Sequence, residues 1–448
     1  MHIVIIGNGI AGSSAARHLR KLSDHKITMI SGESKYPFSR TALMYIYMGH
    51  MTYEHTKLYE DWFWEKNRID LVEGWVEHID TKSQSITMKN GDLIKYDKLI
   101  IGTGSKSNKF GWPGQELNGV AGLYQLQDMQ ALENASKDKV GRAVIVGGGL
   151  IGIEMAEMLA SRKIPVTMLV RESSFWNNVL PPEESAMINQ HIAEHHIDLR
   201  LATELKSING SNKVISITTN HGEEISCGFV GLAVGVSPNI NLLKDSGIET
   251  KRGILVNDLL ATSVTNIYAI GDCAEVKTPK IGRKGIESIW YTGRMMGEHV
   301  ARSIMGETVS YDPGIWFNSA KFLDIEYQVY GEITAELNGE TESLYWQHVT
   351  EHKSVRINYM KDSGSVIGFN LMGVRYRHNV CEAWIKNKTN IKEVLANLAF
   401  ANFDPEFYKQ YESAIILQFK GNLTEPIVHR AKRKLRLVQD YLKTISLH

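Results

Sequence analysis

Two stretches of this chain carry glycines at a spacing that suits phosphate groups. The aliphatic run His2 to Ile6 breaks into Gly7-Asn8-Gly9-Ile10-Ala11-Gly12, and Ser13 to Leu22 then has helical composition. Ala143 to Val146 likewise breaks into Gly147-Gly148-Gly149-Leu150-Ile151-Gly152, with helical composition through Leu159. The first glycine of each permits a tight turn, the second lets backbone approach a pyrophosphate, and the third lets helix and strand pack closely. Phosphates then rest on the free N–H groups and positive end of the following helix. One such pattern is weak evidence, whereas two in one chain, each between strand and helix, are specific for dinucleotide binding.

Side chains at the ends of neighbouring strands fit the same chemistry. Glu33, past the strand Lys26 to Ile30, has the spacing of a carboxylate that takes a ribose hydroxyl pair. It reads equally as a loop carboxylate, since Gly32 fills the more usual acidic position. After the second turn, Glu172 suits the ribose of NADH, while Arg171 suits the extra phosphate of NADPH. A carboxylate would repel that phosphate, which tips the balance to NADH. Gly102-Thr103-Gly104 ends another buried strand with residues small enough for backbone to close over a nucleotide. Far downstream, Gly271-Asp272 ends a short strand with a carboxylate able to accept hydrogen bonds from a polyol.

The totals bound what surrounds these turns. At 448 residues the chain should hold two or three domains. Lys+Arg and Asp+Glu are equal at 50 each, which argues against coating nucleic acid. The three cysteines, Cys227, Cys273 and Cys381, lie far apart with no CxxC pair, against a disulfide scaffold or a zinc site. The first strand leaves no room for a signal peptide, and no apolar run is long enough to span a bilayer. A cytoplasmic globular protein is expected. His191, His195 and His196 fall on a helix (Glu184 to His196) without a third ligand in view. They read as a solvated face, so no metal is expected.

Residues 54–68 read as a helix carrying Trp62 and Trp64 in an apolar patch, and Asn90-Gly91 marks a hairpin turn. Glu326 to Gly331 and Ser354 to Tyr359 read as antiparallel strands, followed by helices over Asn379 to Lys386 and Ile391 to Leu398. At the end, Val428, Ala431, Leu435, Val438, Leu442 and Ile445 recur at helical spacing. His429, Arg430, Lys432, Arg433, Lys434 and Arg436 crowd the first half of that helix. Its stripe has three competing uses: docking on its own domain, lying on an acidic partner, or lying on a membrane surface. The basic loop Lys277 to Lys284 also suits an acidic partner.

The order of Gly7 to Gly12, Gly102 to Gly104, Gly147 to Glu154, Gly235 to Asn239 and Ile270 to Asp272 resembles the pyridine nucleotide–disulfide oxidoreductase superfamily. Ferredoxin and rubredoxin reductases and the flavin domain of assimilatory nitrite reductases are most similar. Tyr36 to Leu43, with Arg40, resembles their aromatic-x-Arg loop, and Ile286 to Gly297 their helix beside the flavin ring. Ile315 to Ser319 resembles the aromatic opening of their third domain. The resemblance implies an α/β fold of two Rossmann-like dinucleotide-binding domains, the second inserted in the first, plus an α+β C-terminal domain. Residues 1–112 and 241–310 would bind FAD, 113–240 would bind NADH or NADPH, and 311–448 would form an interface domain.

The implied reaction is hydride transfer from nicotinamide to flavin, then electron transfer to a small acidic iron–sulfur or similar redox protein. Glu154 is the polar residue expected at the ring junction, Trp290 is expected to border the flavin, and a helix from about Glu287 would stabilise the reduced ring. The alternatives are a reductase of quinone or oxygen at the membrane face, and a flavoprotein sensor without turnover. Neither the first helix nor Ser39 to Tyr47 carries a cysteine, which disfavours a dithiol disulfide reductase. A lysine that pairs in relatives with the glutamate matching Glu154 is replaced here, with Tyr45 nearest in register.

Overall fold

The computed structural model describes residues 1–137, 140–403, 407, 409–420 and 435–445. The chain divides into two compact units, Met1–Leu169 with Thr203–Pro313, and Val170–Ala202 with Gly314–His448.

The first unit is built on two parallel sheets. One runs in the order Ile267–Ala269, Lys98–Ile101, His2–Ile6, Lys26–Ser31, Ile69–Glu73. Ile3, Val4 and Ile5 of its middle strand have no exposed surface, so both faces are covered and the sequence does not alternate. Each such side chain stabilises the fold by about 1.5–3 kcal/mol relative to its exposed state. The register aligns Ile6 with Ile30 on one side and Ile101 on the other. The chain therefore leaves all three strands at one level, and the carboxyl ends of parallel strands are where such sheets receive ligands. The second sheet runs Val166–Leu169, Ala143–Val146, Phe229–Leu232, Val120–Ala121, again parallel. The unit also holds two three-stranded antiparallel ribbons, one turning at Gly91 as expected, and two two-stranded sheets.

Three local expectations need correction. The first helix spans Ile10–Leu22, beginning ahead of Ser13 because Gly9 already serves as its N-cap. Residues 54–68 form two helices, Tyr53–Thr56 and Asp61–Lys66, since Lys57 turns extended and bridges Phe38. Trp64 is buried there while Trp62 faces solvent. The helix expected from Glu287 spans Trp290–Ile304. Glu287 is instead buried in the preceding loop, accepting from Arg283 Nε at 2.8 Å, the Lys284 N–H at 3.1 Å and Thr292 Oγ1 at 3.1 Å. Those bonds hold residues 283–289 out of helical geometry.

The second unit centres on an antiparallel sheet ordered Phe317–Phe322, Ile325–Gly331, Val366–Met372, Ser354–Met360, Thr341–Gln347. Val355, Ile357 and Phe369 pack with Trp384 of the helix His378–Lys386 in a core of its own. Helix Pro182–Glu194 sends Glu184 into this unit with no exposed surface. Arg356 meets it with two hydrogen bonds of 2.8 Å, and Asn370 Nδ2 donates a third at 3.1 Å.

The terminal helix Leu435–Ile445 docks on the same core. Val438 and Ile445 are buried, Trp384 Nε1 donates to Tyr441 Oη at 2.7 Å, and Asn387 Nδ2 donates to the Ile445 carbonyl. Of the three uses of its stripe, the described part takes the first, packing on its own unit. Val428, Ala431 and the basic residues His429, Arg430, Lys432, Arg433 and Lys434 lie outside the described residues, as does the side chain of Arg436.

Candidate dinucleotide sites

The two glycine turns are nearly superposable in their constraints. Gly7 (φ +103°) and Gly147 (φ +120°) hold left-handed backbone, and a Cβ on them would lie 2.1 Å from the Gly102 carbonyl and 2.3 Å from the Ala233 carbonyl. At Gly12 and Gly152 a Cβ would lie 2.0 and 2.3 Å from the Gly7 and Gly147 carbonyls. The protein's own packing therefore accounts for four of the six glycines. Gly9 and Gly149 are different. Each has ordinary negative φ, caps a helix, and has nothing within 4 Å of the Cβ it lacks. No atom among the described residues requires glycine at either place, so the space they leave fits a group approaching from outside. The helices they open, with Trp290–Ile304, share two further traits: no side chain caps them and no acidic residue occupies the first turn. Helix N-termini of this kind suit a bound anion.

Around the first turn a chain of polar contacts joins residues distant in sequence. Arg40 donates from Nη1 to Glu33 Oε1 (2.8 Å) and from Nη2 to Oε2 (2.6 Å), and the Leu126 N–H also reaches Oε1 at 2.8 Å. Burial opposes the Arg40 charge, but the Glu33 carboxylate outweighs it and raises the guanidinium pKa. The Arg40 guanidinium lies over the Tyr124 ring, 4.6 Å from its centre. Tyr124 Oη donates to Asp272 Oδ2 at 3.1 Å and accepts from the Ser105 N–H at 2.8 Å. Burial raises the Asp272 carboxyl pKa above its ordinary value, despite the hydrogen bond from Tyr124. Glu33, Arg40, Gly104 and Asp272 are thus brought together. Their link, Tyr124, escapes the sequence reading because a lone loop tyrosine carries no local signal.

The two turns are joined by a seam within the first unit. Thr103 Oγ1 donates to the Asn239 carbonyl at 2.7 Å, and the Asn239 N–H returns a bond to the Gly104 carbonyl at 2.9 Å. Gly235 adjoins the side chain of Asn108, which bonds Ser237 at 2.6 Å. Glu154 stands half-buried in the second turn of helix Leu150–Ser161. Trp290 opens its helix half-buried, edge-on to Tyr291. Arg171 and Glu172 belong to the second unit, where they pair with each other at 2.9 Å.

The reading of three histidines as a solvated face holds for His195 and His196 but not for His191, which is buried against Asp324. The basic loop is less charged than its sequence suggests. Lys277 pairs with Glu249 at 2.9 Å and Arg283 with buried Glu287, leaving Lys280 and Lys284 exposed at the rim of a cavity of about 330 Å³.

All three cysteines are free and buried, and burial pushes the Cys227 thiol up to about 11. Iodoacetamide applied to the native protein near pH 7.5 is therefore expected to label none of them within an hour, and all three after denaturation. Native labelling of Cys273 together with lost activity would reopen disulfide chemistry. No helix among the described residues is long and apolar enough to cross a membrane.

The sequence family described as pyridine nucleotide-disulphide oxidoreductase matches residues 1–301. The NADH-rubredoxin oxidoreductase of Clostridium acetobutylicum is 33% identical over 320 residues, 69% of this chain and 76% of that protein. The assimilatory nitrate reductase electron transfer subunit of Bacillus subtilis is 30% identical over 302 residues, 66% of this chain. The chain spans only 39% of the length of that relative. The crystal structure of the Clostridium acetobutylicum NADH:rubredoxin oxidoreductase matches with a TM-score of 0.68 at 26% identity, covering 88% of this chain and 98% of that one.

Proposed function

This chain belongs to the pyridine nucleotide-disulphide oxidoreductase family, and from that premise we propose that it is an FAD-dependent NAD(P)H oxidoreductase passing electrons to a small acidic redox protein such as a ferredoxin or rubredoxin. The observation that carries this reading is the pair of glycines, Gly9 and Gly149, whose missing side chains no contact among the described residues explains. When both groups are bound, they supply hydride transfer from nicotinamide to flavin, so the protein's task is to hold and orient.

We assign FAD to residues 1–112 and 241–310, held by Gly7, Gly9, Gly12, Glu33, Arg40, Gly102, Thr103, Gly104, Gly271 and Asp272. The nicotinamide dinucleotide takes residues 113–240, with Gly147, Gly149, Gly152, Glu154, Arg171, Glu172 and Gly235. Trp290 borders the flavin, and the uncapped N-terminus of its helix stabilises negative charge there. Glu172 suits the ribose hydroxyls of NADH and its carboxylate repels the extra phosphate of NADPH, so NADH is the favoured donor. Residues 311–448 form the interface domain. The three reduced thiols suit the cytoplasm.

Asp272 gives this assignment a two-sided test. Its carboxyl pKa is raised in the fold by burial, so its charge costs stability above that pKa. Asp272→Asn is expected to raise the melting temperature of the flavin-free protein at pH 8, with the gain vanishing near the ordinary carboxylate pKa of about 4. The same substitution should weaken FAD binding about tenfold, the loss of one charge-assisted hydrogen bond.

The reaction itself is tested by anaerobic stopped-flow mixing with NADH and with NADPH, followed by a panel of acceptors at rising salt. Flavin bleaching at about 1 s⁻¹ or faster is expected, with a ferredoxin or rubredoxin reduced more slowly as salt rises. A rate indifferent to salt would remove the acidic partner. Bleaching far slower than turnover would remove the enzyme.

A further inference from the structure

Helix Pro182–Glu194 ends in a cluster of imidazoles and carboxylates that the reaction above does not use. His191 is only 4% exposed, and its Nε2 lies 2.5 Å from Asp324 Oδ1, on the tight turn between two strands of the second unit. On the other side of the ring, His352 Nε2 lies 2.5 Å from Glu194 Oε2. The His191 and His352 rings are 4.8 Å apart, centre to centre.

The informative atom is His191 Nδ1. It is buried and has no hydrogen-bond partner among the described residues, while Glu194 Oε2 stands 3.8 Å away, beyond hydrogen-bond reach. With Asp324 accepting at Nε2, the ring proton belongs on Nε2 and Nδ1 presents a lone pair. Burial and the neighbouring His195 and His352 rings, opposed by Asp324, hold the His191 pKa below its ordinary value.

We propose that His191 Nδ1, Glu194 and His352 Nε2 bind a divalent transition-metal ion, with zinc the best fit and Asp324 orienting the buried ring from behind. The ligand atoms of these three residues all lie within 4.8 Å of one another. Tetrahedral zinc with bonds of about 2.0–2.1 Å places its ligand atoms about 3.3 Å apart, so the surface side chains Glu194 and His352 need only rotate inward. Two imidazoles and one carboxylate prefer zinc to magnesium or calcium, which take all-oxygen sets. A carboxylate on the far nitrogen of a ligating histidine is the usual support for such a ring. Water completes the fourth position. The ion ties the end of the helix to the loop carrying His352.

The test uses tag-free, flavin-loaded full-length protein, stripped with a chelator and titrated with zinc against a chromophoric competitor. One tight equivalent is expected, with a zinc-dependent rise in melting temperature. His352→Ala and Glu194→Gln should each weaken binding at least tenfold and abolish that rise. Asp324→Asn should weaken binding roughly 10–100-fold. NADH-driven flavin bleaching should be the same with and without zinc. No saturable zinc binding, or binding unchanged in His352→Ala, overturns the proposal. Loss on His195→Ala but not on His352→Ala would put the ion on the opposite nitrogen and overturn this ligand set. Equal affinity for magnesium would reject the metal class.

Discussion

Gly149→Val is expected to leave the protein yellow, folded and no longer reducible by NADH. The backbone at Gly149 (φ −121°, ψ −172°) is one that valine readily adopts, and the added side chain meets nothing within 4 Å of its Cβ. Stability should therefore be near that of the wild type. On the proposed assignment, the valine methyls would fill the space by which a pyrophosphate reaches the helix N-terminus. The efficiency of flavin reduction by NADH should fall at least 100-fold, about 2.7 kcal/mol of lost transition-state stabilisation. Dithionite, which needs no nucleotide site, should bleach the variant as before. Gly9→Val is the mirror experiment and should give a folded, colourless protein. Gly12→Val serves as the contrast, because its Cβ would sit 2.0 Å from the Gly7 carbonyl and the strand–helix junction cannot accept it. Should Gly149→Val be reduced by NADH at the wild-type rate, the second turn is not a dinucleotide site.

Arg356→Met is expected to cost about 3–5 kcal/mol of stability, because it strands the wholly buried Glu184 carboxylate. Asn370 keeps one bond to Glu184, and Arg356 also serves Glu183 at 2.7 Å, so the substitution strips most of a network. Replacing both members, Arg356→Met with Glu184→Leu, should recover most of the loss, since no buried charge then remains. Urea denaturation of the three proteins, followed by circular dichroism, measures both effects. A single variant within 1 kcal/mol of the wild type would mean that Glu184 finds water or a proton without its partner.

The parts of this fold legible in sequence are those fixed by neighbours a few residues away. The strand–glycine–helix turns, the hairpin at Asn90-Gly91 and the alternating strands at Ile325–Gly331 and Ser354–Met360 all follow local patterns. Illegible were contacts made by chain closure. Tyr124 meets Asp272 and Arg356 meets Glu184 across long separations, and no periodicity announces either. His191 is not legible as buried because its partner, Asp324, comes from a strand turn far downstream. Glu33 shows the limit of spacing itself. Its distance from Gly12 suits a ribose, yet its oxygens already accept from Arg40 and the Leu126 N–H. The late start of the Trp290–Ile304 helix has the same origin, since a buried ion pair, not helix propensity, shapes residues 283–289.

The first sheet is laid down out of order: its middle strand is the first one synthesised, while the strand beside Lys98–Ile101 is Ile267–Ala269. Until the ribosome has released residue 269, Lys98–Ile101 has an open edge, and exposed edges recruit other chains. Nascent fragments ending before Ile267 should consequently aggregate or be held by chaperones.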